Sequence, residues 1–481
     1  MSNRGESERL FDSFFSRICE VTGDARLDLR LVRREELAVL LDCIRFDFYY
    51  QHKAAFDGLV GRPVPDAGAK TDLVRRSKEF LFRTRNYARW MRGAREGLRK
   101  REVEFLSIEF HPNNVLDVLP VMRSLEENHS VAFVASRASV GVKLQQMGVS
   151  QPIDLESHMV TSPREFVAFQ RDVGRWLRVV RAEVGEFDKL FSLLARALRH
   201  LLTSAWFVYN SLLIVLAACR PRVVVSTGFH RVDSRVAWHL AREANARTAF
   251  VQHGLLEETP LSKDIFVDSA LVWGRAFIGK FRADNWHVVG SPKHAALLRR
   301  YAESKKEEQS VLIVSTHASG KYVTESIYSE LVSLFVRTAG MLPCKNFVVK
   351  LYSTESLDKV RAQYASAGLP PNLEFATGDV YPFLGSCSTV VCITSSVAIE
   401  SLLFKSKLIL IDIGYSHLFP FSASVPCVTG FDPHQLSRAI EEYESNLTED
   451  YASLFFEPVQ DPVRRSVEVL ESMLSGPVKQ C

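Results

Sequence analysis

Several short stretches of the chain combine hydroxyl, cationic and imidazole side chains in spacings that suit phosphate binding and proton transfer. Thr394-Ser395-Ser396 closes the apolar run TVVCIT and opens another, SVAIESLLF, with Glu400 four residues beyond Ser396. Hydroxyls and backbone N–H groups at a helix N-terminus attract a phosphate. A carboxylate one turn further can accept hydrogen bonds from ribose hydroxyls. An ordinary helix cap with an acidic first turn uses the same residue types. Thr316, Ser319 and Lys321 follow the strand-like VLIVST, with His317 among them, and Lys350 ends NFVVK. The imidazoles stand in similar places: His111 after EFLSIEF, His230 after VVVST with Asp233 three residues on, and His253 between Gln252 and Gly254. A histidine titrating near neutrality can take a proton from a hydroxyl, and Asp233 is placed to orient His230. The competing role for each histidine is a hydrogen bond that fixes a turn.

These groups need elements that bring strand ends together. Residues 1–102 read as helical, with no strong strand signal. From residue 103 strands and helices alternate: strands at 104–110, 131–136, 223–227, 248–252, 270–274 and 287–290, and helices at 115–127, 163–219, 233–245, 276–284 and 292–303. The polar ESKKEEQ (303–309) reads as a linker, and the pattern then restarts with strands at 311–316, 346–352, 373–376, 389–394, 407–412 and 426–430. Alternation of this kind implies parallel sheets covered by helices. The expected organisation is a helical, basic region (1–102), a Rossmann-like domain (103–303), a second one (304–450) and a helical tail (451–481). In open α/β sheets ligands sit outside the carboxyl ends of the strands, where all the groups above fall.

The 481 residues are 47% hydrophobic and 24% charged, which suits packed cores, and the net charge of +4 is too balanced to indicate nucleic-acid binding. The charge is uneven. Arg75 to Arg101 holds eleven Lys/Arg against two Glu, with Leu73, Phe80, Tyr87 and Ala94 recurring every seven residues. Such a basic amphipathic stretch suits either a helix docked on its own domain with a solvated face or attachment to an anionic membrane surface or acceptor. The run Ala205–Cys219 is too short for a spanning helix, contains Asn210, and leads into RVVVST, so a buried helix is expected. The polar first ten residues lack the apolar stretch of a secretory signal, which points to the cytoplasm. The eight cysteines form no CxxC pair and are expected as buried free thiols. There is no GxGxxG, no HExxH and no DxD, and Ser315 stands where a P-loop before Gly320-Lys321 needs glycine. No metal site or resident cofactor is expected.

The order Gln252-His253-Gly254, Val272-Trp273-Gly274, Val288-Val289-Gly290-Ser291-Pro292, Val348-Val349-Lys350-Leu351, then Thr394 through Leu403 and Leu408 through Asp412 resembles the GT-B-fold glycosyltransferases of bacterial surface polysaccharides. It also resembles the CDP-glycerol glycerophosphotransferases of wall polymers. The resemblance covers about residues 103–445. It implies two Rossmann-like domains facing a cleft, with a nucleotide-sugar donor on the second and a glycan or lipid-linked acceptor on the first. It assigns the donor to Thr394, Ser395, Ser396 and Glu400, with Lys350 at the phosphates, and a base to His253; by strand-end position Thr316, Ser319 and Lys321 are further phosphate candidates, and His111 and His230 are rival bases. Tyr352-Ser353 stands where this family usually carries His-Pro, a departure from the CMP-sugar and CDP-glycerol branches for which His317 is a substitute. Two further classes share the layout: a sugar-nucleotide 2-epimerase, which needs no acceptor, and a non-catalytic GT-B-like scaffold.

Overall fold

The computed structural model describes residues 4–23, scattered positions from 37 to 45, and most of 100–475, with gaps at 110, 113, 159–162, 184, 229–231, 257–265, 302–303, 317–322, 353–354, 394, 414–421 and 444–450. The basic stretch up to residue 99 therefore lies outside the described residues, as do His230, His317, Ser319, Lys321, Ser353 and Thr394.

Two parallel sheets organise the chain. The first contains β1 (Phe105–Glu109), β2 (Val131–Ala135), β3 (Ile153–Asp154), β4 (Val223–Ser226), β5 (Arg247–Val251), β6 (Phe266–Val272) and β7 (Arg282–Val288), in the order β3-β2-β1-β4-β5-β6-β7. The second contains β8 (Glu307–Val314), β9 (Asn346–Lys350), β10 (Leu373–Ala376), β11 (Cys387–Cys392), β12 (Lys407–Asp412) and β13 (Cys427–Thr429), in the order β10-β9-β8-β11-β12-β13. Both have the doubly wound order, so each has a point where the chain reverses its direction of winding: between β1 and β4, and between β8 and β11. All five residues of β1 are buried, because helices cover both faces of the sheet.

The expected α/β architecture and most strands are present, with differences at the edges. The helix expected at 276–284 is a single 3₁₀ turn, Arg275–Phe277, and β7 then begins at Arg282. β7 is an edge strand with a mostly polar sequence, so it lacks the apolar run that marks a central strand. The polar linker expected at 303–309 is in part strand, since β8 starts at Glu307, where its residues are still exposed. The two-residue β3 had no readable signal.

The N-terminal helix Arg4–Gly23 buries Phe11, Phe14, Phe15 and Ile18 in the same core as Phe169, Trp176 and Val180 of the helix Pro163–Glu183. Trp176 Nε1 donates to Thr22 Oγ1 at 2.9 Å. The helix Asp188–Cys219 is long and apolar enough to cross a bilayer, yet most of its apolar stretch is buried in protein and it leads into β4. Asn210 is accommodated by donating back to Trp206 O at 2.8 Å. Of the described cysteines, Cys219, Cys387 and Cys392 are buried as expected, whereas Cys19 and Cys344 are exposed.

The chain ends by returning to the first domain. Val469, Leu470 and Met473 of the helix Pro462–Ser475 share a core with Val115, Val118 and Met122 of the helix Val115–Glu126. His129 clasps this return, with Nδ1 3.1 Å from Glu104 Oε2 and Nε2 3.0 Å from Glu471 Oε1. Two glycines of the sequence pattern are explained here. A Cβ on Gly274 would lie 2.5 Å from the backbone of Leu454 and Phe455. Gly290 has φ +72°, and a Cβ there would lie 3.1–3.2 Å from the side chains of Val459 and Pro462. Both positions need the small residue because the C-terminal segment lies against them.

Candidate functional site

The first reversal point is occupied by a carboxyl group. Glu109 ends β1, and its side chain is fully buried between Ser107 Oγ at 3.0 Å and Thr227 Oγ1, from the end of β4, at 2.8 Å. Burial pushes its pKa up to about 8, against the pull of both hydroxyls. It therefore carries a proton at neutral pH. His111 lies half-buried two residues on, its carbonyl capping the turn before the helix Val115–Glu126 through Asn114 N at 3.1 Å. Asp233 is half-buried in the first turn of the helix Val232–Glu243.

His253 stands on the loop after β5, half-buried. Its position is fixed by Gln252, whose buried amide accepts from Trp273 N and donates to Gly254 O, both at 2.8 Å. The glutamine of the Gln-His-Gly pattern thus ties the histidine turn to the end of β6.

The second reversal point is built from hydroxyls and a lysine. Ser315 leaves β8 and donates to Glu355 Oε1 at 3.1 Å, an oxygen that also accepts from Tyr328 at 3.0 Å. Tyr352 N donates to the other oxygen at 2.6 Å, so one carboxylate ties the β8 and β9 ends to the helix Glu325–Met341. Thr316 is half-buried beside it. Lys350 is buried at the end of β9 and donates to Leu351 O at 2.6 Å. Burial lowers its pKa, opposed by Asp379 and Glu355. At the start of the helix Val397–Leu403 it is Ser395, not Ser396, that accepts from a backbone N–H, Val397 N at 3.3 Å.

Glu400 differs most from expectation. The sequence pattern suits a Glu400 carboxylate that accepts from the ribose of a donor in the cleft. Its carboxylate is instead turned into the junction between the domains and is 3% exposed. Lys293 Nζ lies 3.5 Å and His294 Nε2 3.1 Å from Oε1, and Tyr381 adds a hydrogen bond. Lys293 also lies 3.9 Å from Oδ1 of Asp117, which is buried in the first turn of Val115–Glu126. Burial pushes the Glu400 pKa up, but Lys293 and His294 outweigh it and bring it down to about 2. Burial raises Asp117 to about 7, with Lys293 pulling down and Glu400 pushing up. Burial alone would lower Lys293, yet Asp117 and Glu400 raise it, so it is a fixed cation. Burial lowers His294, against Glu400. With a neutral imidazole protonated on Nε2, that N–H lies 3.1 Å from Glu400 Oε1 and Nδ1 is left to accept from Ser291 Oγ at 2.7 Å. Trp273 packs edge-on to the imidazole at 4.8 Å, and Lys293 lies over the Trp273 and Tyr381 rings at 5.8 and 5.7 Å.

The structure therefore joins Glu400 to residues the sequence reading passed over: Asp117, Lys293, His294 and Tyr381. A signal was present. Lys293 and His294 open a helix, Pro292–Tyr301, where the helix dipole disfavours cations. Asp117 interrupts the apolar VLDVLPV. Both oddities are resolved only when the two domains meet. Among the described residues, no group of three or more His, Cys, Asp or Glu side chains could hold a metal ion.

Two doubly wound domains joined at their reversal points define a GT-B-like architecture. No family model matches the chain, and no curated protein matches it in sequence. Among solved structures, it is similar to a putative UDP-N-acetylglucosamine 2-epimerase from Listeria monocytogenes (TM-score 0.51, 11% identity, covering 79% of this chain and 98% of that one). It is also similar to UDP-GlcNAc 2-epimerase from Neisseria meningitidis bound to UDP-GlcNAc (0.46, 10%, 77% and 99%) and to the lipopolysaccharide outer core galactosyltransferase WaaB (0.42, 10%, 76% and 99%). The Listeria likeness supports the fold.

Proposed function

We propose that the protein is a nucleotide-sugar-dependent glycosyltransferase. It moves a sugar or similar unit from a nucleotide donor to a glycan or lipid-linked acceptor of a surface polysaccharide. The observation that carries this reading is the meeting of two reversal points, one from each domain, at Asp117, Lys293 and Glu400. A two-substrate transfer needs a ligand edge from each domain turned toward a common centre. The second domain takes the donor on Thr316, Ser319, Lys321, Lys350, Thr394, Ser395 and Ser396, while Glu400 is committed to Lys293 at the junction. Hydroxyls, helix-terminal N–H groups and a lysine offset the charge on the leaving phosphate. On the first domain His253 takes the proton of the acceptor hydroxyl, with His111 and His230, oriented by Asp233, as the other imidazoles within reach of strand ends. The reaction needs no resident cofactor or metal. It runs in the cytoplasm, at the inner membrane face if residues 75–101 bind anionic lipid.

One observation favours a second reading. Glu109 and Asp117 are buried carboxyls whose pKa values are raised to about 8 and 7. Groups of that kind suit an isomerase that moves a proton on a sugar nucleotide without an acceptor, as in a 2-epimerase. A thermal-shift screen with UDP, CDP, GDP and CMP compounds, followed by turnover assays with and without glycan acceptors, tests both. The transferase reading expects stabilisation by one nucleotide class and consumption of its sugar conjugate only with an acceptor. Conversion of a UDP-HexNAc alone would establish the isomerase instead, and no stabilisation by any nucleotide would remove both.

A further inference from the structure

The junction holds one permanent cation between two buried carboxylates from different domains. Asp117 belongs to the first domain and Glu400 to the second, and Lys293 lies 3.9 Å and 3.5 Å from them. Among the described residues, the other groups facing the cluster supply no second positive charge: His294 is held toward its neutral form, Tyr381 keeps its proton, and Glu109 is protonated at neutral pH. The charge of Lys293 is matched when one carboxylate is ionised, and the cluster is left with an unmatched negative charge when both are. Asp117 Oδ1 is buried without a hydrogen bond, whereas Glu400 is bound by three groups. Asp117 is therefore the carboxyl that gives way.

We propose that Lys293 is a positioning residue for the donor domain: it holds Glu400 against the first domain, and the proton on Asp117 sets how firmly it does so. With Asp117 protonated, Lys293 is committed to Glu400. With Asp117 ionised, the lysine is shared and a surplus negative charge lies where the domains meet. In a low-dielectric junction such a charge is costly and loosens the contact. The value of about 7 for Asp117 puts this change in the physiological range. The consequence for ligand binding rests on the reading of the second domain as the donor domain: an anionic nucleotide is then held less well as pH rises through neutrality.

The test is amide hydrogen exchange of the full chain from pH 6 to 8, corrected for the intrinsic rate, at Pro292–Tyr301 and Val397–Leu403. Wild-type protection is expected to fall as pH rises, by roughly tenfold for each pK unit of coupling. Asp117→Asn is expected to abolish the slope and keep the low-pH protection. Lys293→Arg retains the slope, since a guanidinium can pair with both carboxylates, and Lys293→Met loses it. A flat wild-type profile, or an unchanged slope in Asp117→Asn, overturns the proposal, and that isosteric variant decides the matter if Lys293→Met does not fold. Calorimetry with UDP, CDP and GDP reads the donor arm separately. Failure of wild type to bind any of them removes the donor reading while the exchange slope still tests the junction.

Discussion

The two reversal points share a topology and differ in chemistry. In the first domain a protonated carboxyl, Glu109, is closed between Ser107 and Thr227 and exposes nothing. In the second, Ser395 and Ser396 remain half-buried at a helix start, and Glu355 holds the β8 end from the side. At the first point the carboxyl between β1 and β4 is finished internally: Glu109, Ser107 and Thr227 satisfy one another. The second keeps hydroxyls at its surface, as an anion site requires. Ligand chemistry at the first domain must therefore come from neighbours of its reversal point, such as the His253 loop, rather than from the point itself. Lys293 bridges the two, lying 3.9 Å from Asp117 and 3.5 Å from Glu400, and breaking that link has the largest expected effect. Lys293→Met leaves Glu400 and Asp117 buried without their cation and should cost about 3–5 kcal/mol, read by denaturant unfolding at pH 7. The loss should shrink in acid, where Asp117 is protonated. A loss below about 1 kcal/mol would mean that water already screens the junction.

His253→Ala tests whether the first domain acts through its loop. A general base contributes about 10²–10⁴-fold. Turnover should fall by that factor with donor affinity nearly unchanged, because the donor is assigned to the other domain. Near-normal turnover would move the search to His111 and His230. A loss of stability without a specific loss of rate would make the imidazole a turn-fixing group like its neighbour Gln252, which bonds Trp273 and Gly254.

The alternation of apolar strands and amphipathic helices made both sheets legible, because central parallel strands are buried on both faces and read as continuous apolar runs. The pattern glycines were legible as positions but not as reasons. Gly274 and Gly290 enter the sequence reading only as parts of the family pattern, yet each makes room for residues some 160–180 positions later, around Leu454 and Val459. The same distance hid the junction. Asp117, Lys293 and Glu400 lie on three helices far apart in the chain, and no local periodicity links them. Glu400 itself was found by its place after a Ser/Ser helix start. Its direction was not, because the spacing that suits a ribose also suits a buried cation on a neighbouring helix.

Glu109→Gln sharpens the contrast at the first reversal point. The folded pKa of Glu109, about 8, lies above its ordinary value of 4.5. The folded state therefore binds more protons than the unfolded state between those values, and stability falls as pH rises through that window. The glutamine has no such proton, so the part of the slope due to Glu109 should disappear. At pH 8 the variant should be at least as stable as wild type, with Ser107 and Thr227 free to reorient as acceptors. Thermal melts at pH 5 and 8 check this. A steeper loss in the variant at pH 8 would mean that Glu109 is ionised in the folded protein and held by a charge other than its two hydroxyl partners.

The smallest effect on stability belongs to Ser395, and its value is in the ratio of two measurements. Its hydroxyl accepts from Val397 N at 3.3 Å, a long bond at the start of a seven-residue helix. Loss of a capping hydroxyl costs about 0.5–2 kcal/mol, and the length of this one favours the low end. Ser395→Ala should therefore lower the melting temperature only slightly. If the second reversal point binds the donor phosphates, the same variant should weaken nucleotide binding about tenfold, since a hydrogen bond to a charged oxygen contributes about 1.5–3 kcal/mol. Calorimetry on the wild type and the variant gives the ratio. A variant that loses about 1 kcal/mol of stability and no affinity would make this helix start an ordinary cap. The two reversal points would then be alike, both finished internally, and the donor would have to be sought at the loops beyond β8 and β9.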